Sequence, residues 1–186
     1  MIFSVNANVS DYLWYVIDSK EARCKLGDDT VFHLDRQPKA YTEVWQPIEV
    51  EFFKATEGKG KVIPDITVRN GKLFFNQKAY DLLHDKLKDC GEFLPVSFNK
   101  IQGYIFNILV VAESNNAVDL SLSSKNEWGE INSIVFYEDK LENYPVFRTE
   151  YDDYMGVYCK EDFKALIESK GLLGVLFNQK LNGAPP

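Results

Sequence analysis

Apolar and acidic residues alternate most regularly in the run Ile48–Phe53, IEVEFF, which places Glu49 and Glu51 on one face and the apolar residues on the other. Period two predicts a strand with its glutamates in water. Earlier, Ile2 to Val5 reads as an edge strand, and Leu13-Trp14-Tyr15-Val16-Ile17 fits either a strand or a buried turn of helix. Glu57-Gly58-Lys59-Gly60-Lys61 is a polar loop, and Pro64-Asp65-Ile66-Thr67-Val68 leads into Asn70-Gly71, a tight-turn signal.

Beyond that turn the spacing changes. Lys72 to Phe75 forms a short strand, Asn76 is placed to cap a helix, and Ala79, Leu82, Leu83, Leu87 and Cys90 recur at helical spacing until Gly91 stops it. Strands follow over 92–98 and 104–112, with a hairpin connection at 100–103. Residues 113–129 are rich in Ser and Asn and read as loop before a strand over 131–137. Pro145-Val146-Phe147-Arg148 and 155–158 are short strands, and 160–170 is a helix with Phe163, Leu166 and Ile167 on its stripe. Gly171 ends that helix, 174–177 is a final strand, and the tail with Gly183, Pro185 and Pro186 frays.

These elements predict an α+β fold of mostly antiparallel sheet with two main helices against it. Its order of strand, capped helix, glycine stop and strand occurs twice. A length of 186 residues fits one domain, with residues 1–60 open to a reading as an N-terminal subdomain.

Charge narrows the function classes. Lys and Arg total 21 against 28 acids, a net charge of −7, so the summed field repels nucleic-acid backbones and suits a protein partner with a basic surface. Cys24, Cys90 and Cys159 are odd in number and widely spaced, which fits neither a disulfide framework nor a zinc motif; they read as reduced, mostly buried thiols. The first twenty residues carry no basic segment followed by an apolar run, which predicts a cytoplasmic protein without a membrane span.

Only two histidines, His33 and His84, are available as proton shuttles or metal ligands. His84 falls on the polar flank of its helix, with Asp85 directed elsewhere around the wheel, and His33 shares a face with Asp35 alone. Neither predicts a metal or catalytic site, and no cofactor is expected. Gly58-Lys59-Gly60-Lys61 lacks the spacing and the Ser or Thr of a phosphate loop. Cys159, just before a helix start, is a candidate thiolate and has no histidine in a recognisable pairing. Paired acids such as Asp28-Asp29, Glu138-Asp139 and Asp152-Asp153 read as solvated. The cluster Glu150-Tyr151-Asp152-Asp153-Tyr154 differs, because it interleaves charge with rigid amphipathic rings, as interfaces facing basic partners do. With Glu138 and Asp139 it forms the predicted partner-binding set.

Two blocks resemble a known family. Pro64-Asp65-Ile66, a strand, a helix closed by Cys90-Gly91 and Phe93-Leu94-Pro95-Val96 make one; Pro145-Val146-Phe147-Arg148, a strand, the 160–170 helix and Gly171-Leu172-Leu173-Gly174-Val175-Leu176-Phe177 make the other. Together they resemble the immunity-protein domain found beside polymorphic and type VI secretion toxins of bacteria. The resemblance implies a protein that neutralises a cognate toxin or effector by stoichiometric binding, and it carries over no catalytic residue. A small-ligand or regulatory module, a homo-oligomer joined through a sheet edge, and a carboxylate-based hydrolase are the alternative expectations.

Overall fold

The chain runs β1 (Ile2–Ala7), β2 (Trp14–Ile17), α1 (Ser19–Leu26), β3 (Ile48–Phe53), β4 (Ile66–Arg69), β5 (Lys72–Asn76), α2 (Gln77–Leu87), β6 (Gly91–Phe98), β7 (Ile101–Ile108), β8 (Ser124–Lys125), β9 (Ile131–Ser133), β10 (Val146–Phe147), β11 (Val157–Lys160), α3 (Glu161–Ser169) and β12 (Val175–Asn178). This computed structural model describes residues 1–28, 32, 35–56 and 58–181. His33, Asp29, Glu57 and the tail with Gly183, Pro185 and Pro186 lie outside the described residues. The fold is α+β with a core dominated by sheets: one of six strands in the order β2-β3-β6-β7-β5-β4, one of four in the order β10-β11-β1-β12, and the small ribbon β8-β9. Neighbouring strands are antiparallel except β3 and β6. No helix among the described residues is long and apolar enough to cross a membrane.

Alternation along the strands sorts their side chains into three cores. Leu73 and Phe75 of β5 join Phe106 and Ile108 of β7, Phe3 and Val5 of β1, and Phe163 and Ile167 of α3 in a central core. The intervening Phe74 and Ile105 point to the far side, against Tyr15, Leu26 and Phe32. On the smaller sheet Ile2, Phe147 and Tyr158 face outward under the segment after β7. Both sheets are therefore covered on both faces, and the irregular segments supply the outer cover.

The two strand-helix-strand units share one topology. β5 and β6 both run antiparallel to β7, and β11 and β12 both run antiparallel to β1, so each helix crosses over an intervening strand to reach a parallel partner. Asp65 ties the units together. Its carboxylate accepts from Asn76 at the start of α2 (2.8 Å), from Lys78 (3.0 Å) and from the Leu173 N–H after α3 (3.0 Å). The two blocks that carry the family resemblance thus meet at one aspartate.

Local signals mostly stand where expected. Glu49 and Glu51 are exposed, Asn76 accepts from the Ala79 N–H, and Asn70 (φ 50°) and Gly71 (φ 69°) supply the left-handed pair a tight hairpin needs. Several expectations are corrected. β1 is interior to its sheet rather than an edge strand. The hairpin before β7 turns at Asn99 and Lys100, both left-handed, one step earlier than 100–103. Gly91 begins β6 rather than capping α2, and its missing side chain matters because a Cβ there would lie 2.2 Å from the Asn107 carbonyl. Leu82 is 38% exposed although it was placed on the buried stripe, because Ala79, Leu83 and Leu87 already fill the contact. The 131–137 strand shortens to β9, with Phe136 held by a single bridge to Val118.

Candidate partner-binding surface

The charge of −7 is not spread evenly. Residues 113–153 contain ten of the 28 acids and three of the 21 basic residues, which leaves 18 of each for the rest of the chain. This segment crosses the outer face of the four-stranded sheet and then supplies its edge strand, β10. It anchors there through Ala117, Ile134 and Leu141, with Phe136 edge-on to Phe147 at 5.2 Å.

Short polar side chains shape the loop, as its Ser and Asn content requires. The Asp119 carboxylate accepts from the Ser121 N–H (2.9 Å), the Ser121 hydroxyl (2.5 Å) and the Leu122 N–H (3.2 Å). The Ser121 and Tyr137 hydroxyls hold the Asp119 carboxyl below its usual range, so it is ionised at neutral pH. Asn126 closes the β8-β9 ribbon by accepting from the N–H groups of Trp128 (3.0 Å) and Glu130 (2.8 Å). The loop therefore presents apolar side chains on a hydrogen-bonded frame. Trp128 is 78% exposed, Leu120 69% and Leu122 63%, with Glu127 and Glu130 also exposed. Leu120 and Leu122 precede β8 and Trp128 lies in the β8-β9 turn, so one short stretch of net negative charge exposes three large apolar side chains.

The predicted set lies next to this loop. Thr149 caps a short 3-10 turn, Glu150–Asp152, and its hydroxyl donates to Glu113, which also accepts from the Glu150 and Tyr151 N–H groups at 2.9 Å each. The Tyr151 ring is half-buried, with the Lys125 ammonium of β8 4.7 Å from its centroid, so the turn and the ribbon touch. Glu150 and Asp153 are exposed, and Tyr154 is half-buried near Arg148. Asp139 is exposed, and Glu138 pairs at 2.5 Å with the Met1 ammonium.

Asp152 does not belong with them. It is 6% exposed and accepts from the Tyr158 hydroxyl (2.8 Å) and the Gly156 N–H (2.9 Å). Burial lifts its carboxyl above the ordinary value even though both hydrogen bonds pull the other way. Asp152 is an interior residue, correcting its reading as a solvated acid and a partner contact. The left-handed backbone at Asp153 (φ 55°) turns its neighbour outward while Asp152 turns in.

Other candidates resolve as packing. His84 is half-buried, packs at a tilt 4.9 Å from the Tyr80 ring and 5.2 Å from the Phe93 ring, and its Nδ1 lies 3.5 Å from Asp85. The expected exposed flank, with Asp85 turned away, is corrected on both points. Cys159 is fully buried in the central core and burial pushes its thiol far up, so the dipole of α3 does not make it a thiolate. Cys24 is exposed and Cys90 buried. No group of three or more His, Cys, Asp or Glu among the described residues is arranged to hold a metal.

Two buried cations had no sequence signal. Arg148 is fully buried, its Nη1 donates to the Arg36 carbonyl (2.9 Å), and burial pushes it down to about 10, opposed by the charges of Asp152 and Asp35. Lys72 is 2% exposed, donates to the Asp35 carbonyl, and is pushed down to about 7 by burial and by Arg148. Each sits beside an ordinary turn or strand signal, and groups outside that signal surround them: the Arg36 carbonyl and Tyr154 at Arg148, the Asp35 carbonyl and the Phe32 ring at Lys72.

No protein-family model and no curated protein matches the chain.

Proposed function

We propose that this protein is a stoichiometric inhibitor that binds a toxin or effector protein with a basic surface and blocks its action. The observation that carries the reading is the coincidence of charge and exposed aromatic surface. The segment that accounts for the net charge of the chain is also the one that presents Trp128, Leu120 and Leu122 to solvent.

The division of labour follows from physics. A Trp side chain entering a partner pocket buries a large area at low conformational cost, and such anchors dominate affinity. Glu127 and Glu130 flank it in the same turn, and the exposed Glu150 and Asp153 add to the negative potential of the segment, which speeds encounter with a cationic partner and disfavours acidic ones. Inhibition by coverage requires no group on this chain to react.

Co-expression with the product of the adjacent upstream gene tests the reading, with growth and co-purification measured together. Growth rescue with a stable complex, weakened when Glu127→Lys and Glu130→Lys are combined, is the expected result. Absence of both rescue and complex overturns it for that pair. Rescue that survives Trp128→Ala together with the charge reversal removes the surface assignment while leaving inhibition intact.

A further inference from the structure

A cavity of about 410 Å³ lies where the two sheets meet, and one of its walls, Met155–Val157, directly follows the acidic segment. Its walls come from β1, β4 and β11 together with Trp14, Val9, Ala55 and Met155. Val5 and Val157 are buried, Val68 and Trp14 half-buried, and Met155 is 37% exposed at the rim. The volume falls within the roughly 300–1,000 Å³ of small-molecule sites, and an apolar wall carrying a few fixed polar groups is their usual composition.

The charged group here is Arg69, beside the polar Asn6 and Asn70. Its guanidinium lies 4.4 Å from the Trp14 ring centroid, and Nη1 donates to the Tyr15 carbonyl at 2.9 Å. Stacking and hydrogen bond hold the fork in place before any ligand arrives. No carboxylate forms an ion pair with it among the described residues. Arg69 and Asn70 also line a smaller cavity of about 90 Å³, whose far wall includes the buried Lys72 and the Phe32 ring. The groove is thus mostly apolar, with Asn6 and Asn70 in its lining and a cationic group at Arg69.

We propose that this groove binds a small amphiphile, an alkyl chain with an anionic head, the head on Arg69 and the chain along Trp14, Val68 and Val157. A purely apolar ligand leaves the guanidinium without an anion, and a free inorganic anion leaves the apolar walls wet. Glu150, Asp153 and Tyr154 stand just before the Met155 wall of this groove in the chain, but Trp128, Glu127 and Glu130, on which the inhibitor reading is tested, do not line it, so the two proposals are tested on different residues.

Isothermal titration of the full chain with octanoate, octyl phosphate and octanol tests it. Saturable one-to-one binding of at least one of the two anions, about tenfold or more tighter than octanol, is expected from a charge-assisted bidentate head contact. The tighter of the two anions identifies the head group. Arg69→Gln should erase the preference over octanol, while Val68→Trp, which fills the groove, should abolish binding of all three. Both variants are checked for an unchanged near-ultraviolet circular dichroism spectrum. Equal affinity for octanol and the anions, an Arg69→Gln variant that binds like the parent, or no saturable binding by the folded protein overturns the proposal. Because the growth-rescue assay reads a different surface, failure here leaves the inhibitor reading standing.

Discussion

The body of the molecule and its 113–153 segment are built on opposite plans. In the body, acids and bases balance at 18 each and long strands bury both sheet faces. The segment has strands of two or three residues, three 3-10 turns of which Glu150–Asp152 is capped by the Thr149 side chain, and the whole net charge. Strands that bury both faces leave little variety at the surface, whereas a capped loop displays whatever side chains it carries. The contrast teaches that exposure of an aromatic residue means more in the second setting, where a short ribbon turn outside both main sheets carries Trp128.

The largest effect should fall in the body. Phe75→Ala removes a fully buried ring that contacts Phe93 and Phe106, and should destabilise the fold by about 3–5 kcal/mol in urea unfolding. A loss below about 1 kcal/mol would mean that the central core is not shared as described.

Trp128→Ala sharpens the comparison from the other side. Its 78% exposure predicts a stability change within about 0.5 kcal/mol and a loss of about 2 kcal/mol or more in affinity for the partner, read by titration calorimetry. A variant that unfolds early but binds normally would reverse the roles assigned to loop and body.

A smaller effect is expected at Lys72, where burial and Arg148 lower the amine from 10.5 to about 7. Between those values the unfolded chain holds a proton that the native state lacks, so this group makes stability rise with pH across the window. Below it the native state carries the charged amine at full cost. Lys72→Met should remove that part of the slope and stabilise the protein by about 1–2 kcal/mol at pH 6, with the gain shrinking toward pH 10. Parallel pH profiles for parent and variant would show instead that the amine is well solvated in the native state.

Much of the fold was legible because its signals are local. The alternation in IEVEFF, the Asn70-Gly71 pair, the cap at Asn76 and the stop at Gly171 each depend on a few neighbouring residues, and each stands in the structure. The surface was less legible. Glu150, Tyr151, Asp153 and Tyr154 stand where a partner could reach them, but Asp152 and Asp153 are chemically alike in sequence and opposite in burial. Trp128 carries no periodic signal, because it stands in a polar turn. The uneven count of acids along the chain would have drawn attention to it.

By itself the sequence determined the class of fold, the position of most turns and helices, and the concentration of negative charge in one stretch. Tertiary structure alone decided that β1 lies between β11 and β12, partners more than 150 residues away in the chain, that Asp65 joins the two helical units, and that Lys72 and Arg148 are buried together. The physical reason is the range of the forces. Backbone torsions, capping and alternation act between neighbours, whereas burial of a charge, or the opening of a groove beside Arg69, depends on which distant segments exclude water from the same place.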